Sequence, residues 1–310
     1  MNESEWLAAR FEDNRTHLRA VAYRMLGSLS EADDAVQEAW LRLSRSDTSE
    51  VENLRAWLTT VVARVCLNLL HARESRREEA LDGHVPDPIV SREDGIDPED
   101  QALLADAMGL ALLVVLDTLR PPERLAFVLH DIFAVPFDEI APIVGKSATA
   151  ARQLASRARR RVQEAPTVPE SDLAHQREVV DAFLAATREG DFDRLLALLD
   201  PGIVLRADFG PVPASREVRG AAGVARGALA FSSYAPLARL RPALVNGTAG
   251  VVGVNPGGEP FAVIGFTVVR GKIVEIDILR DPARLAGLDL AVLEDRQAAS
   301  SDLPSDRASR

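Results

Sequence analysis

The sequence predicts a multidomain protein in which two all-α domains precede an α+β domain built from a curved antiparallel sheet and helices. Apolar residues recur at helical spacing over residues 6–162, whereas beyond residue 236 they alternate as they do in strands. The chain of 310 residues is long enough for two or three domains of about 100–200 residues each. Its composition, 47% hydrophobic and 27% charged, is that of an ordinary globular protein.

Composition also limits the chemistry. Cys66 is the single cysteine, which excludes an intramolecular disulfide framework and a cysteine-rich zinc site and favours a reducing compartment. The first residues lack the apolar segment of a signal peptide, and the longest apolar run, residues 110–116, is far shorter than the roughly 20 residues that cross a bilayer. We therefore expect a cytoplasmic protein with no membrane association, no metal and no cofactor.

Residues 1–77 are predicted to form the first helical domain. Ser30 precedes an acidic stretch and is expected to cap the second helix. Residues 54–70 have the length and the apolar spacing of a third helix. The positions expected to pack these helices together are Leu18, Val21, Ala22, Met25, Leu26, Val36, Ala39, Trp40, Leu43, Trp57, Leu58, Val61, Val62, Val65 and Leu69.

An acidic linker is predicted over residues 78–101. Residues 78–100 hold nine acids and one base, Arg92, and so contribute −8 of the formal charge of −11. Glycine and proline interrupt this segment and its apolar residues are scattered, so it cannot bury enough surface to fold alone. Because most of the negative charge lies here, the overall acidity does not exclude a nucleic-acid partner.

Residues 102–165 are predicted to form the second helical domain, which ends in a helix-turn-helix. A helix over residues 137–144 is followed by a turn at Gly145 and by a second helix over residues 148–162. Residues 146–161 carry six bases and no acid. A basic run is more often a solvated helix face than a nucleic-acid reader, so charge alone leaves both interpretations open.

A second linker, over residues 166–173, precedes the α+β domain predicted over residues 174–290. Residues 174–199 have the pattern of two amphipathic helices. Turn signals such as Asn246-Gly247 then separate runs rich in valine and isoleucine, which predicts a four-stranded antiparallel meander. The last residues, 291–310, are small and polar and are predicted to be a disordered tail.

A polar stripe lies on the second predicted helix, where Asp34, Glu38 and Arg42 occupy positions i, i+4 and i+8. Taken alone, such a stripe is more often a solvated surface with ion pairs than a docking face. Together with residues 53–68 and 135–162, however, it resembles regions 2 and 4 of the extracytoplasmic-function (ECF) RNA polymerase sigma factors of bacteria.

This resemblance implies partners and residue roles. In the family, region 2 docks on the β′ clamp helices of core RNA polymerase and opens and reads the −10 promoter element, while region 4 meets the β flap and reads the −35 element. The matching core-binding residues are Asp33, Asp34, Gln37, Glu38, Leu41 and Arg42. The matching −10 residues are Asn53, Arg55, Trp57, Arg64, Asn68, Arg73, Arg76 and Arg77. The matching −35 residues are Lys146, Ser147, Thr149, Ala150, Arg152, Gln153, Arg157, Arg159 and Arg160.

Residues 172–290 resemble a SnoaL-like domain, a cone of curved sheet and helices that encloses a pocket. In free-standing relatives the pocket carries out proton transfer, which needs a carboxylate or imidazole base. The candidates here are Asp208, Asp277 and His175, with Asp277 expected on the exposed face of a strand. We expect a regulatory or ligand-sensing domain and not an enzyme.

This resemblance implies that the protein is regulated by its own SnoaL-like domain and requires no cognate anti-sigma factor. An unidentified small ligand is a further possible partner of the pocket. The residues that match the motifs of this interdomain regulation are Val85, Pro86, Asp87, Pro88, Asp208, Asp281, Pro282, Arg284 and Leu285. Two alternatives stay open. One is a DNA-binding regulator that does not use polymerase, and the other is a sigma-like module fused to a small-molecule-binding or cyclase/isomerase-like enzyme domain.

Overall fold

The computed structural model describes residues 3–46, 51, 53–76, 84–92, 109–165, 169–210, 216–234 and 239–290. Several predictions fall on residues outside these ranges. They concern Arg77, the side chain of Arg76, the linker residues 78–83 and 93–101, residues 102–108 and 166–168, and the tail 291–310.

The first domain consists of α1 (Glu3–Leu26), α2 (Leu29–Leu43) and α3 (Leu54–Arg76). Ser28 caps α2, where its side chain accepts a hydrogen bond from the Glu31 N–H, so the prediction that Ser30 is the cap was wrong. Gly27 explains the shift. It adopts a left-handed conformation with φ of 69° and ends α1, so the chain turns at once and α2 begins earlier than the acidic stretch suggests.

The second domain contains α4 (Leu110–Asp117), α5 (Pro121–Phe127), a π-helical turn (Val128–Ile132), α6 (Phe137–Val144) and α7 (Ala148–Glu164). Gly145, with φ of 64°, ends α6, and the Ser147 side chain caps α7 by accepting from the Ala150 N–H at 3.2 Å. The last two helices and this turn form the helix-turn-helix that the sequence predicts.

The third domain begins with α8 (Leu173–Glu189) and α9 (Phe192–Leu198) and later contains α10 (Ala221–Tyr234) and α11 (Pro282–Leu285). Its strands are β2 (Leu199–Asp208), β3 (Arg216–Arg219), β4 (Arg239–Val245), β5 (Thr248–Val254), β6 (Pro260–Val269) and β7 (Lys272–Leu279). Strands β4 to β7 form the predicted antiparallel meander.

Within the described part of the chain, these six strands and β1 (Val90–Ser91) form one sheet in the order β1-β4-β5-β6-β7-β2-β3. Strand β2 lies parallel to β7, which the predicted meander did not include. Strand β1 (Val90–Ser91) comes from the predicted acidic linker and pairs antiparallel with β4, with Val90 opposite Val245. The linker therefore supplies an edge strand to the third domain.

Residues 84–92 are held between the first and third domains. The side chains of Val85, Ile89 and Val90 are buried, and Asp87 donates its backbone N–H to the Gly27 carbonyl at 2.8 Å. From the sequence, the scattered apolar residues of this stretch are predicted to bury too little surface for it to fold alone. It becomes ordered because two neighbouring domains supply that surface and the hydrogen-bond partners.

One core cluster runs through all three domains. It includes Leu18 of α1, Leu58 of α3, Leu129 of the π-helical turn and Val245 of β4. A second cluster lies between the sheet and the helices of the third domain, around Val180, Phe183 and Phe266. The two helical domains thus pack directly on each other and against one face of the third domain.

Candidate functional site

The polar stripe of α2 faces solvent. Asp34, Gln37 and Leu41 are exposed, and Leu41 keeps 38% of its surface accessible. Asp33 accepts from Arg19 Nε at 2.7 Å, and Arg42 Nε donates to Glu38 Oε1 at 2.9 Å. The ion pairs of a solvated helix face are therefore present beside an exposed apolar residue suited to a partner.

The residues predicted to contact the −10 element divide into two groups on α3. Asn53, Arg64 and Asn68 are exposed, whereas Trp57 is half-buried and packs against the core. Two further arginines, Arg55 and Arg73, have partners inside the protein. Arg55 NH2 lies 3.0 Å from His17 Nδ1, and Arg73 donates to the Leu26 carbonyl at 3.0 Å and pairs with Glu31.

The N-terminal half of α7 presents the residues predicted to read the −35 element. Lys146, Ser147, Thr149, Arg152 and Gln153 are exposed, and Ala150 is half-buried. The guanidinium of Arg152 lies over the Phe137 ring at 5.2 Å from its centroid, which restricts the orientation of the side chain. The opposite face of α7 is buried through Ala151, Leu154, Ala155 and Ala158.

The C-terminal half of α7 carries arginines that are partly neutralised within the domain. Arg157 Nε lies 2.7 Å from Glu123 Oε1, and Arg159 NH2 lies 2.5 Å from Asp131 Oδ1. Arg160 is exposed. Arg157 is exposed as well but is held by the ion pair to Glu123, and Arg159 is half-buried.

The first and second domains meet around Phe133. Its ring lies edge-on to His17 at 5.2 Å between centroids, and the Arg24 guanidinium lies over it at 5.3 Å. Burial lowers the pKa of His17 to about 4, and the positive charges of Arg55 and Arg24 act in the same direction. The imidazole is therefore neutral in this contact at neutral pH.

Arg124 of α5 also joins these two domains and is 1% exposed. It donates Nε to the Arg24 carbonyl at 3.2 Å and NH1 to Asp117 Oδ1 at 3.0 Å. Burial lowers the pKa of this guanidinium, although Asp117 opposes that effect. A buried arginine with such partners favours one relative placement of the two domains.

The predicted regulatory residues come together in one group, the interdomain cluster of Arg284, Asp87, Asp208 and Val85. Arg284 donates Nε to Asp87 Oδ1 at 2.7 Å, NH1 to Asp208 Oδ2 at 2.8 Å and NH2 to the Val85 carbonyl at 2.6 Å. Asp281 caps the short helix that carries Arg284 by accepting from the Ala283 N–H at 2.9 Å. Pro86 packs near Gly27, and Leu285 is buried.

Asp208 is the centre of the cluster on the side of the third domain. Its Oδ2 accepts from the Val85 N–H at 3.1 Å and lies 3.0 Å from His84 Nδ1, while Oδ1 accepts from the Gly210 N–H at 3.0 Å. Burial acts to raise the pKa of Asp208, but these hydrogen bonds outweigh it and hold that pKa well below its usual range. The carboxylate is therefore ionised and binds both the linker and neighbouring groups of the third domain.

Tyr23 and Asn246 also hold the linker, and sequence reasoning missed their role. The Tyr23 hydroxyl donates to the Asp87 carbonyl at 2.6 Å and accepts from Asn246 Nδ2 at 3.0 Å. Asn246 Oδ1 accepts from the Ile89 N–H at 3.0 Å. The Asn-Gly pair indicates only a turn, and Tyr23 follows helical core spacing, so neither residue had a pattern that pointed to the linker.

A cavity of about 330 Å³ lies inside the third domain between the sheet and α8 and α10. None of Asp208, Asp277 and His175 lines it, and its described lining contains no carboxylate and no imidazole. Asp277 was predicted on an exposed strand face, which is wrong: it is 2% exposed and pairs with Arg206 at 3.1 Å. Ile276 and Ile278 face the cavity, so Asp277 faces the opposite side of the sheet.

Neither a metal-binding cluster nor a membrane-spanning helix is found among the described residues. No group of three or more histidine, cysteine, aspartate or glutamate side chains there is placed to hold a metal ion. No helix in the same ranges is both long and apolar enough to cross a bilayer.

Known proteins are similar to this chain in both helical domains and over most of its length. The family model for sigma-70 region 2 matches residues 10–77, and that for sigma-70 region 4 matches residues 109–162. The chain is 42% identical to the ECF RNA polymerase sigma factor SigJ of Mycobacterium tuberculosis, over 91% of this chain and 94% of SigJ. It is 34% identical to the probable ECF sigma factor SigI of the same species, over 92% of this chain and 97% of SigI.

A solved structure is similar over the same extent. The crystal structure of M. tuberculosis SigJ superposes with a TM-score of 0.73 at 38% identity and covers 91% of this chain and 99% of that one. The similarity therefore includes the third domain as well as the two helical ones. The chain belongs to the ECF RNA polymerase sigma factors, which direct promoter-specific transcription initiation by RNA polymerase.

Proposed function

We propose that the third domain of this sigma factor holds the two promoter-reading domains in a packed arrangement that cannot initiate transcription, and that release of the linker activates the protein. The observation that carries this proposal is the direct contact between the first and second domains through His17, Arg24 and Phe133.

The size of a promoter makes that contact incompatible with DNA reading. The −10 and −35 elements are about 25 base pairs apart, which is about 85 Å at 3.4 Å per base pair. By comparison, α3, with 23 residues, is about 35 Å long at 1.5 Å per residue. Domains in direct contact cannot span both elements at once, so the linker must extend before both are read.

The interdomain cluster is suited to prevent that extension. Arg284 and Asp208 of the third domain bind Val85 and Asp87 of the linker, while Asp87 also accepts from the Leu29 N–H of α2 at 2.9 Å. The same short segment is therefore fixed to the first domain and to the third. As long as both sets of hydrogen bonds persist, residues 85–87 of the linker cannot extend and the first domain stays joined to the third.

In the active state, we assign the α2 surface to the β′ clamp helices of core polymerase, with Asp34, Gln37 and Leu41 as its exposed centre. We assign Asn53, Arg64 and Asn68 to the −10 element, and the N-terminal half of α7 to the −35 element. Region 4 is assigned to the β flap as well. A Leu41→Ser change should weaken capture of core polymerase. A DNA-binding regulator that does not use polymerase would not capture the core enzyme at all.

The third domain acts in this proposal as a regulator and not as a catalyst. The lack of a carboxylate or imidazole in the described lining of its cavity supports that assignment, because proton transfer needs such a base. Because the chain carries its own inhibitory contact, the proposal requires no cognate anti-sigma factor.

Run-off transcription with purified core polymerase tests the proposal. The full chain and its Arg284→Ala variant are compared on one promoter, and the variant is expected to give several times more transcript at limiting protein concentration. Arg194→Ala is the matched control, because Arg194 is an exposed arginine of the same domain that pairs with Glu189 at 3.1 Å, away from the linker. Equal output from all three proteins would contradict the proposal.

A further inference from the structure

We infer that the cavity of the third domain binds a small amphipathic monocarboxylate, whose carboxylate pairs with Arg280 and whose apolar body fills the cavity. The volume of about 330 Å³ lies at the lower end of the range of about 300–1,000 Å³ typical of small-molecule sites. Within the described lining, Thr187, Arg216 and Arg280 are the side chains that carry polar atoms, and the rest is apolar.

Arg280 is oriented by aromatic rings. Its guanidinium carbon lies 5.3 Å from the centroid of Phe209, 5.8 Å from that of Phe231 and 5.4 Å from that of Phe261. Gly253 leaves room for one of these rings, because a Cβ there would lie 2.8 Å from Phe261. These cation–π contacts attract the charge of Arg280 without neutralising it, so the guanidinium can still form a charged pair with a ligand.

The charge of Arg280 is not balanced by the carboxylates near it. Asp281 caps α11, and Asp208 binds Arg284 and the linker. In the ranges that the structure describes, no carboxylate forms an ion pair with Arg280. The cavity therefore has a positive group at one side of an apolar interior, which is the arrangement that an anion with an apolar body would satisfy.

The same features select the class of anion. A guanidinium binds a planar carboxylate through two parallel N–H···O bonds, and a single oriented guanidinium supplies one such pair. Arg216, the other guanidinium of the lining, belongs to an exposed residue, so Arg280 is the cation among the apolar walls, and a second negative charge placed there would lose hydration without compensation. Arg216 also lines the cavity and adds positive charge, which disfavours a cation.

The position of Phe209 connects this site to the interdomain cluster. Phe209 directly follows Asp208, and the backbone N–H of Arg280 donates to the backbone carbonyl of Asp208 at 2.7 Å. The three rings surround Arg280 in the packed arrangement of the domains. A ligand that contacts these rings and Arg280 should therefore favour the packed arrangement. This consequence depends on the proposed function, whereas the binding site itself does not.

Isothermal titration calorimetry on the full chain tests the site with a matched pair of probes, 1-naphthaleneacetate and the neutral 1-naphthaleneethanol. The acid is expected to bind at least about tenfold more tightly, as a charge-assisted hydrogen-bonded pair predicts. Arg280→Met should remove this difference and leave the affinity for the alcohol unchanged, which also shows that the variant is folded. Ala228→Phe, which fills the cavity from α10, should abolish binding of both probes.

Other outcomes would overturn the inference. They are no binding of the acid, equal binding of both probes by the unmodified chain, or binding that Ala228→Phe does not reduce. Titration of the Arg284→Ala variant separates the two claims. Weaker binding of the acid supports coupling to the interdomain cluster, whereas unchanged affinity removes the coupling and leaves the binding site in place.

Discussion

Arg284 and Asp87 are 197 residues apart in the sequence and form an ion pair across the boundary between the third domain and the linker, with Arg284 Nε 2.7 Å and NH2 2.5 Å from Asp87 Oδ1. Asp87 in turn accepts from the first domain, so one carboxylate joins both domains. The pair is only partly exposed, and removing the arginine would leave Asp87 and Asp208 with uncompensated charge.

Arg284→Ala should therefore loosen the linker while the individual domains stay folded. We expect the amides of Val85, Asp87 and Ile89 to exchange hydrogen about thirtyfold faster, which corresponds to a loss of about 2 kcal/mol for a partly buried pair. Hydrogen exchange followed by mass spectrometry measures this. Arg194→Ala is the control and should leave these amides unchanged, and slow exchange in both variants would show that Arg284 does not hold the linker.

Sequence reasoning predicted the helical domains and the meander because their apolar periodicity is local and regular. The resemblance also selected Val85, Asp87, Asp208 and Arg284, and the structure brings these four residues together. It could not predict that part of an acidic segment forms a strand, because that strand is stabilised by an edge more than 150 residues away. The burial of Asp277 was missed for a similar reason, since its partner Arg206 lies on the neighbouring strand β2 but 71 residues away in the sequence.

Gly210 and Gly258 have similar backbone conformations but different surroundings. Gly210 and Gly258 have φ of 90° and 88°, so alanine at either position should cost about 1–2 kcal/mol of conformational strain. A Cβ at Gly210 would also lie 2.7 Å from Asp281 Oδ2, whereas one at Gly258 would contact nothing within 4 Å.

Gly210→Ala should displace Asp281 from its position as the cap of α11 and disturb Arg284. We expect it to lower the free energy of unfolding by about 1 kcal/mol more than Gly258→Ala, the usual cost of a lost N-cap. Chemical denaturation measures both values. If the two variants lose equal stability, the contact between Gly210 and Asp281 has no energetic importance.

The stability of the protein is expected to depend on pH through the buried side chain of Glu275. Glu275 is 4% exposed, and burial followed by the negative charge of Asp277 raises its pKa from 4.5 to about 7, although Arg206 opposes this. Between these two values the unfolded chain loses the proton that the folded chain keeps, so folded-state stability falls as pH rises through that window.

Glu275→Gln removes this ionisation. It should stabilise the protein by up to about 3 kcal/mol at pH 8 and have little effect below pH 4.5. Thermal and urea unfolding at a series of pH values measure the difference. Glu178→Gln, at a side chain that is 79% exposed, is the control and should show no such dependence. A gain from Glu275→Gln that is equal at pH 5 and pH 8 would argue against a buried, raised pKa.

Two arginines of α7, Arg152 and Arg160, are expected to contact different parts of the DNA, the first a base and the second the backbone. Arg152 is exposed near the N-terminus of the helix and is oriented by Phe137, whereas Arg160 is exposed two turns later. In complex with core polymerase, Arg152→Ala should cost about 1–3 kcal/mol at one −35 base pair and relax specificity there. Arg160→Ala should weaken binding to all sequences alike and reduce the salt dependence by about one charge. Binding measured over every single substitution of the −35 element distinguishes the two effects, and an equal loss on all sequences for Arg152→Ala would assign that residue to the DNA backbone instead.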